Sequence, residues 1–334
     1  MVSVGFVGTG INRIHMKWIS QNADARIKAI ASTHKDQLAE FSALYHATPY
    51  EDYREMLDKE QLECIYLAVP PHVHGTIDLD VLDKGVPVFI EKPVALDVTL
   101  AGKILEKNKR NNVMTSVGYQ WRYYMTGETI RDLVRSSRVG MAEGRFWWPG
   151  IVEVSWWKRR NQGGGIAVEM STHLYDLARY FFGEVDRVYC ESELNLRPDH
   201  DKEIDIDDSI VSTLHFERGT VATISNTYHA STMDISLTII TDRGTVHYDE
   251  IEHVEKVHAT MCSGKDCREI RESVNPYQQA ADTFIKAVET KDRSIVRSPY
   301  EDALKTLAVT CALNISAKEK RPVDPRTLWA PFVA

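Results

Sequence analysis

The chain reads as an α/β protein: an N-terminal doubly wound parallel sheet, then an α+β domain with a large open, mostly antiparallel sheet. Three observations predict this. The first 120 residues alternate short apolar runs with stretches of helical periodicity, the pattern of βαβ units. From about Phe146 longer alternating strands take over, joined by turns such as Glu217-Arg218-Gly219 and Asp242-Arg243-Gly244, as hairpin neighbours require. At 334 residues the chain exceeds what one hydrophobic core usually sustains, so two domains are expected, 1–120 and 121–334, with the last helices free to pack back on the first.

In the first half, apolar runs place strands at 2–7, 27–31, 64–69, 86–90 and 114–117. Amphipathic stretches between them place helices at 14–20, 35–45, 50–58, 75–84 and 100–111. In the second half, alternation places strands at 210–216, 221–228, 235–241 and 245–249, and helical patterns follow at 276–291 and 300–318. The absence of a low-complexity tract or flexible linker implies domains in intimate contact.

Composition narrows the function classes. A net charge of −8 disfavours a polyanion-binding surface, so no nucleic-acid partner is expected. No segment approaches the roughly 18 consecutive apolar residues of a membrane span, and no membrane partner is expected. The start, Met1 to Val7, lacks the basic region and cleavage site of a secretory signal, which makes the cytoplasm the expected location. Five scattered cysteines, odd in number and without zinc-site spacing, suit a reducing compartment and point to no metal site. Cys262 and Cys267 flank a turn-like Ser-Gly-Lys-Asp and read as an incidental pair of strand thiols.

The first strand runs directly into Gly8-Thr9-Gly10-Ile11-Asn12-Arg13 and then a helix. Bare backbone at such a turn lets a pyrophosphate approach the amides of a helix N-terminus, so these six residues are candidate cofactor contacts. Arg13 stands where a third glycine is usual; it must point outward or reach over the phosphates. The second strand ends in Ser32-Thr33-His34-Lys35 instead of the acid that binds NAD ribose hydroxyls. A carboxylate about 4 Å from a 2′-phosphate would cost on the order of 4 kcal/mol at an effective dielectric of about 20. Its absence, with Ser32, Thr33 and Lys35 or Arg13 as phosphate ligands, favours NADP over NAD; the plainer alternative makes these residues helix caps in an NAD enzyme.

The strand at 86–90 ends in Glu91-Lys92-Pro93, at the carboxyl edge where open parallel sheets bind ligands. Proline at 93 biases Lys92 away from the α region and gives its side chain a fixed direction. Further on, Gly163-Gly164-Gly165 precedes a helical segment. At 100° per residue, Glu169, His173, Asp176 and Tyr180 fall within an arc of about 60° on it, opposite Leu174, Leu177, Ala178 and Phe181. Gly183 is expected to end this helix as a left-handed cap. The triple glycine suggests that another backbone or a ligand comes close.

Gly8-x-Gly10, Val69-Pro70-Pro71-His72-x-His74, Glu91-Lys92-Pro93, and the triple glycine followed by Glu169-x-x-x-His173-x-x-Asp176 together closely resemble the glucose-fructose oxidoreductase, inositol dehydrogenase and rhizopine-catabolism (Gfo/Idh/MocA) family, in order and spacing, over nearly the whole chain. The resemblance implies a Rossmann domain for NAD or NADP and a C-terminal domain that supplies substrate contacts and a homodimer or homotetramer interface. By position it makes Lys92, His173 and Glu169 catalytic, Glu169 replacing the family's usual Asp. It adds Val69, Pro70, His74, Glu91 and Gln120 to the cofactor site, and Arg122, Trp157 and Asp176 to the substrate site.

The implied chemistry is hydride transfer between a nicotinamide and the hydroxyl or carbonyl carbon of a sugar-like molecule. His173 exchanges the hydroxyl proton, Glu169 orients it, and Lys92 stabilises charge on the reacting oxygen. Two other readings share the fold: a relative that uses NAD transiently in glycoside cleavage, and a sensor that binds cofactor without turnover.

Overall fold

The computed structural model describes residues 1–193, 204–249, 257–272 and 274–333. In chain order the strands are β1 (Val2–Val7), β2 (Ala25–Ala31), β3 (Thr48–Tyr50), β4 (Cys64–Leu67), β5 (Val88–Ile90), β6 (Thr115–Val117), β7 (Val139–Pro149), β8 (Val185–Glu193), β9 (Ser209–Phe216), β10 (Val221–Thr227), β11 (His229–Thr241), β12 (Gly244–Asp249), β13 (Val257–Ser263) and β14 (Asp266–Glu272). The helices are α1 (Asn12–Ile19), α2 (Lys35–Tyr45), α3 (Tyr53–Lys59), α4 (Thr76–Leu82), α5 (Val98–Asn111), α6 (Met125–Arg135), α7 (Arg160–Gly163), α8 (Thr172–Phe182), α9 (Pro276–Thr290), α10 (Tyr300–Glu319) and α11 (Arg326–Trp329). The chain divides into two compact units: residues 1–95, 99–120 and 276–303 form the first, and 96–98, 121–275 and 304–334 the second.

The first unit holds a six-stranded parallel sheet in the order β3-β2-β1-β4-β5-β6. Strand order reverses between β1 and β4, and in such sheets the crevice for a ligand opens there, beyond the carboxyl ends of the strands. Burial on both faces explains why the strands read as near-continuous apolar runs: Val4, Phe6, Ile30, Ile65 and Phe89 are at most 1% exposed. The apolar-run pattern missed β3, which has three residues, one of them Pro49, and sits at the sheet edge, where proline is tolerated. Residues late in the chain complete this core: Phe284 of α9 packs edge-on against Tyr66 and Phe89, with ring centroids 5.7 and 5.8 Å away.

The second unit is built on an eight-stranded sheet in the order β14-β13-β12-β11-β7-β10-β9-β8, antiparallel except for the β10–β7 pair. One face packs against α8, whose Leu174 and Leu177 meet Leu214, Ile224 and Leu237 in a single cluster. Met141, Val211, Val221 and Ile240 are 39–56% exposed on alternate positions of the strands. Val221 and Ile240 both stand opposite Met141, giving a continuous apolar row. Alternation located β9 to β12. It missed β7, which carries Gly140, Gly144 and Pro149, and β8, where charged residues interrupt the pattern.

The reading of Cys262 and Cys267 as an incidental thiol pair is corrected: they form a disulfide across β13 and β14. The four-residue turn sets the two directly opposite, with Cα atoms 4.1 Å apart. Among the described residues, no helix is long and apolar enough to cross a membrane.

Candidate functional site

In the first unit, β1 feeds α1 through the glycine turn. Gly8 has φ +87°, and a Cβ there would stand 2.1 Å from the carbonyl oxygen of Ala68, so only glycine fits. Asn12 clamps the turn from inside, its side-chain amide donating to the carbonyls of Val7 and Gly8 at 3.0 and 2.7 Å. Helix α1 begins without a side-chain cap, and a Cβ on Gly10 would meet nothing within 4 Å. This is the bare, amide-presenting end that a pyrophosphate needs. Ile11 and Arg13 are exposed at the same turn.

The tip of β2 is tied to this turn by hydroxyls. Thr9 Oγ1 lies 2.9 Å from Ser32 Oγ and donates to Gln37 Oε1 at 2.7 Å. Ser32 Oγ also accepts the amide of His34 at 3.1 Å, just before α2, whose start carries no side-chain cap. Thr33 is exposed beside it. Lys35 is turned to Glu51 at 2.9 Å, an exposed pair of a kind worth about 1 kcal/mol at most, so the ammonium is released at little cost. Gln37 was not found by sequence reasoning, because only its contact with Thr9 reveals it.

Val69 and Pro70 follow β4, and His74 lies buried after the 3-10 turn Pro71–Val73, its Nδ1 2.9 Å from Asp78 Oδ1. At the end of β5, Glu91 is buried and Lys92 half-buried, and the Lys92–Pro93 peptide is cis. Both oxygens of Glu91 are held by the protein, by His15 Nε2 at 2.6 Å and the Lys92 amide at 3.1 Å. The Oε1 of Gln120, after β6, is buried and takes no hydrogen bond among the described residues, as does Oδ1 of Asn12. Open glycine backbone, an uncapped helix start and two unpartnered acceptors fit a dinucleotide.

In the second unit the continuous polar stripe is corrected. Glu169 belongs to a π-helical turn, Ile166–Met170, that is closed when the amide and hydroxyl of Ser171 both donate to the carbonyl of Ile166, at 2.9 and 3.0 Å. The regular helix α8 starts only at Thr172, and the wider turn rotates Glu169 away from the arc computed at 3.6 residues per turn. The stripe is not solvated: Glu169, His173 and Asp176 are 4, 8 and 1% exposed. The His173 ring tilts against Trp121, centroids 4.9 Å apart. Gly183 ends α8 with φ +94° but ψ −157°, so the left-handed cap is corrected to a different positive-φ conformation, one that is open essentially to glycine alone. What approaches the triple glycine is the protein itself: a Cβ on Gly163 would stand 3.1 Å from the carbonyl oxygen of Trp156, one on Gly164 2.7 Å from the Val168 side chain, and one on Gly165 3.2 Å from the Arg160 guanidinium.

Arg122 and Asp176 bind each other. The guanidinium makes two bonds of 2.6 Å to the carboxylate, which also accepts the Thr306 hydroxyl at 2.7 Å. That hydroxyl accepts from Arg179 at 2.7 Å, and Arg179 is forked on Glu184. The Arg122 guanidinium also lies 5.0 Å from the Tyr180 ring centroid. Asp176, Arg179 and Tyr180 of α8 are thus each held by a charged partner. Sequence reasoning missed Thr306 and its bond from Arg179, which spans 127 residues of chain. Trp157 is half-buried and donates its indole N–H to Tyr228 Oη at 3.1 Å. No thiol competes as a nucleophile here: burial pushes Cys190 and Cys311 up to about 12, far from thiolate at neutral pH.

Comparison with known proteins agrees with this architecture. Residues 2–119 match the oxidoreductase family with an NAD-binding Rossmann fold, and residues 128–247 match the GFO/IDH/MocA C-terminal domain. The myo-inositol 2-dehydrogenase of Thermotoga maritima is 23% identical, covering 96% of this chain and 97% of that protein. The inositol 2-dehydrogenase of Rhizobium meliloti is 25% identical, covering 97% and 99%. Among solved structures, aldose-aldose oxidoreductase from Caulobacter crescentus, complexed with glycerol, superposes with a TM-score of 0.86 at 20% identity, covering 97% of this chain and 99% of that one. The WlbA dehydrogenase of Bordetella pertussis, in complex with NADH and UDP-GlcNAcA, gives 0.82 at 21% identity, covering 97% and 98%. With both its sheets and both its halves matched, the chain belongs to the Gfo/Idh/MocA family of oxidoreductases.

Proposed function

We propose that this chain binds NADP, accepting NAD less tightly, and interconverts a hydroxyl and a carbonyl on a sugar or polyol. The observation that carries the reading is the uncapped start of α1 behind the bare Gly8–Gly10 turn, on the same parallel sheet whose strand β5, beyond β4, ends in Glu91-Lys92. The glycine turn and the amides of α1 would hold the pyrophosphate. Ser32 and Thr33, with Lys35 or Arg13, would hold a ribose 2′-phosphate, and Val69, Pro70, His74 and Gln120 would line the remainder. The nicotinamide, when bound, supplies hydride chemistry.

The protein's part is proton transfer and charge. His173 Nε2 or Nδ1 takes the proton of the reacting hydroxyl and returns it in the reverse direction, a role imidazole can fill near neutral pH. Glu169 orients the ring, and Lys92 holds its ammonium against the reacting oxygen as negative charge grows there. Arg122 and Asp176, buried and bonded to each other, act by fixing α8; Trp157, half-buried, offers an aromatic face of the kind sugars pack on. Relatives named inositol dehydrogenases, and a solved neighbour holding glycerol, support a polyol-like substrate.

Calorimetry with both cofactors is expected to show NADP binding about ten-fold tighter or more, equivalent to about 1.4 kcal/mol; a clear NAD preference overturns that assignment. Screening sugars, inositols and keto-sugars at the nicotinamide absorbance band is expected to reveal turnover. Silence across the panel, with tight cofactor binding, favours the sensor instead. The apolar row of Val221, Met141 and Ile240 supports a homodimer or homotetramer through this sheet face. Light scattering is expected to give an even multiple of the chain mass, reduced by Met141→Glu, and a monomeric parent overturns this.

A further inference from the structure

We propose that His15 is a positioning residue for Lys92, acting through Glu91; the catalytic part of this claim rests on the function proposed above. Three elements converge on one carboxylate. His15, on the buried side of α1 and 1% exposed, donates from Nε2 to Glu91 Oε1 at 2.6 Å. Glu91, 5% exposed at the end of β5, accepts the Lys92 amide on its other oxygen at 3.1 Å. From the end of β6, glycine at 118 leaves the room: a Cβ there would stand 2.6 Å from Glu91 Oε1. The imidazole is itself held, with the rings of Phe89, Tyr66 and Tyr277 at centroid distances of 4.8, 5.5 and 5.8 Å.

A carboxylate this far from water must be hydrogen-bonded. Without His15 it keeps the Lys92 amide and turns its other oxygen to find a new donor. That movement drags the Lys92 peptide and re-aims its side chain. The bond from His15 thus commits the carboxylate, and it joins the helix that starts at the glycine turn to the lysine at the end of β5. Cofactor seat and charged side chain are held to one another through a single buried pair.

The experiment compares His15→Leu, which keeps the bulk and loses the donor, with His15→Gln, whose amide reaches the same oxygen. Turnover is one readout. The other needs no cofactor or substrate: the rate at which acetic anhydride labels Lys92, measured across pH by mass spectrometry with exposed Lys35 as internal standard. His15→Leu is expected to lower kcat by about 10- to 100-fold, leave the cofactor KM within about three-fold, and change Lys92 labelling by about three-fold or more, while His15→Gln restores both. Leu and Gln variants that behave alike, or Lys92 labelling unmoved by His15→Leu, overturn the proposal and leave His15 a packing residue. If His15→Leu does not fold, Gly118→Ala pushes the same carboxylate from the opposite side, and unchanged labelling there overturns it equally. If the parent turns over no substrate but labelling follows the donor, the link from His15 to Lys92 stands and the hydride-transfer reading falls.

Discussion

Lys92→Ala and His173→Ala are each expected to lower turnover by about 10²- to 10⁴-fold while nicotinamide cofactor binding stays within a few-fold of the parent. That loss corresponds to about 3–5 kcal/mol of transition-state stabilisation. Lys92 is half-buried at the end of β5, where an ammonium acts in a lower dielectric than water, so its removal costs most when charge develops and little in the ground state. His173 is 8% exposed against Trp121, and the carboxylate of Asp176 on the same helix is already bound by Arg122. Glu169→Gln is expected to fall less, because an amide still fits the π-helical turn and retains one acceptor. Steady-state kinetics beside calorimetry separates chemistry from binding. Variants at both positions that retain turnover within a few-fold would remove the assignment.

Arg122→Met is expected to destabilise the second unit by about 3–5 kcal/mol. The guanidinium is 3% exposed and bonds both oxygens of Asp176, itself 1% exposed; without it the carboxylate loses both of those charged bonds. A buried charge that loses its ionic partner costs far more than the ion pair contributes. The double variant Arg122→Met, Asp176→Leu is therefore expected to recover most of the loss, by removing the charge that was stranded. Thermal unfolding checks both, with a midpoint roughly 10 °C lower for the single variant. A loss below about 1 kcal/mol for Arg122→Met would show that water reaches Asp176 and that the pair does not lock α8.

Local pattern carried much of the fold into view. Helix α2 begins and ends where its periodicity does, at Lys35 and Tyr45, and β1 occupies the apolar run before Gly8. Local pattern failed wherever the cause was not local. Strand β3 exists because β2 offers an edge at Ala29 to Ala31, not because Thr48, Pro49 and Tyr50 favour extension. The break before α8 comes from Ser171 closing a wider turn, which a constant 100° step cannot represent. At the site, residues on strand ends and the glycine turn were legible because their chemistry is written in adjacent positions. His15 was not, its partner lying 76 residues away. Arg122 and Asp176 were legible as functional types, yet what each touches, the other, depends on a fold that brings together positions 54 apart.

The first unit draws Phe284 and Ile285 into its core from near the far end of the chain. During synthesis, then, the nucleotide-binding half cannot finish when its own sheet has emerged. At roughly 5–20 residues per second, on the order of 10–30 s pass between release of β6 and arrival of α9. Throughout that interval the rings of Tyr66 and Phe89 lack their cover, which marks the nascent chain as a client for chaperones and a gene fragment ending near residue 120 as an aggregating one.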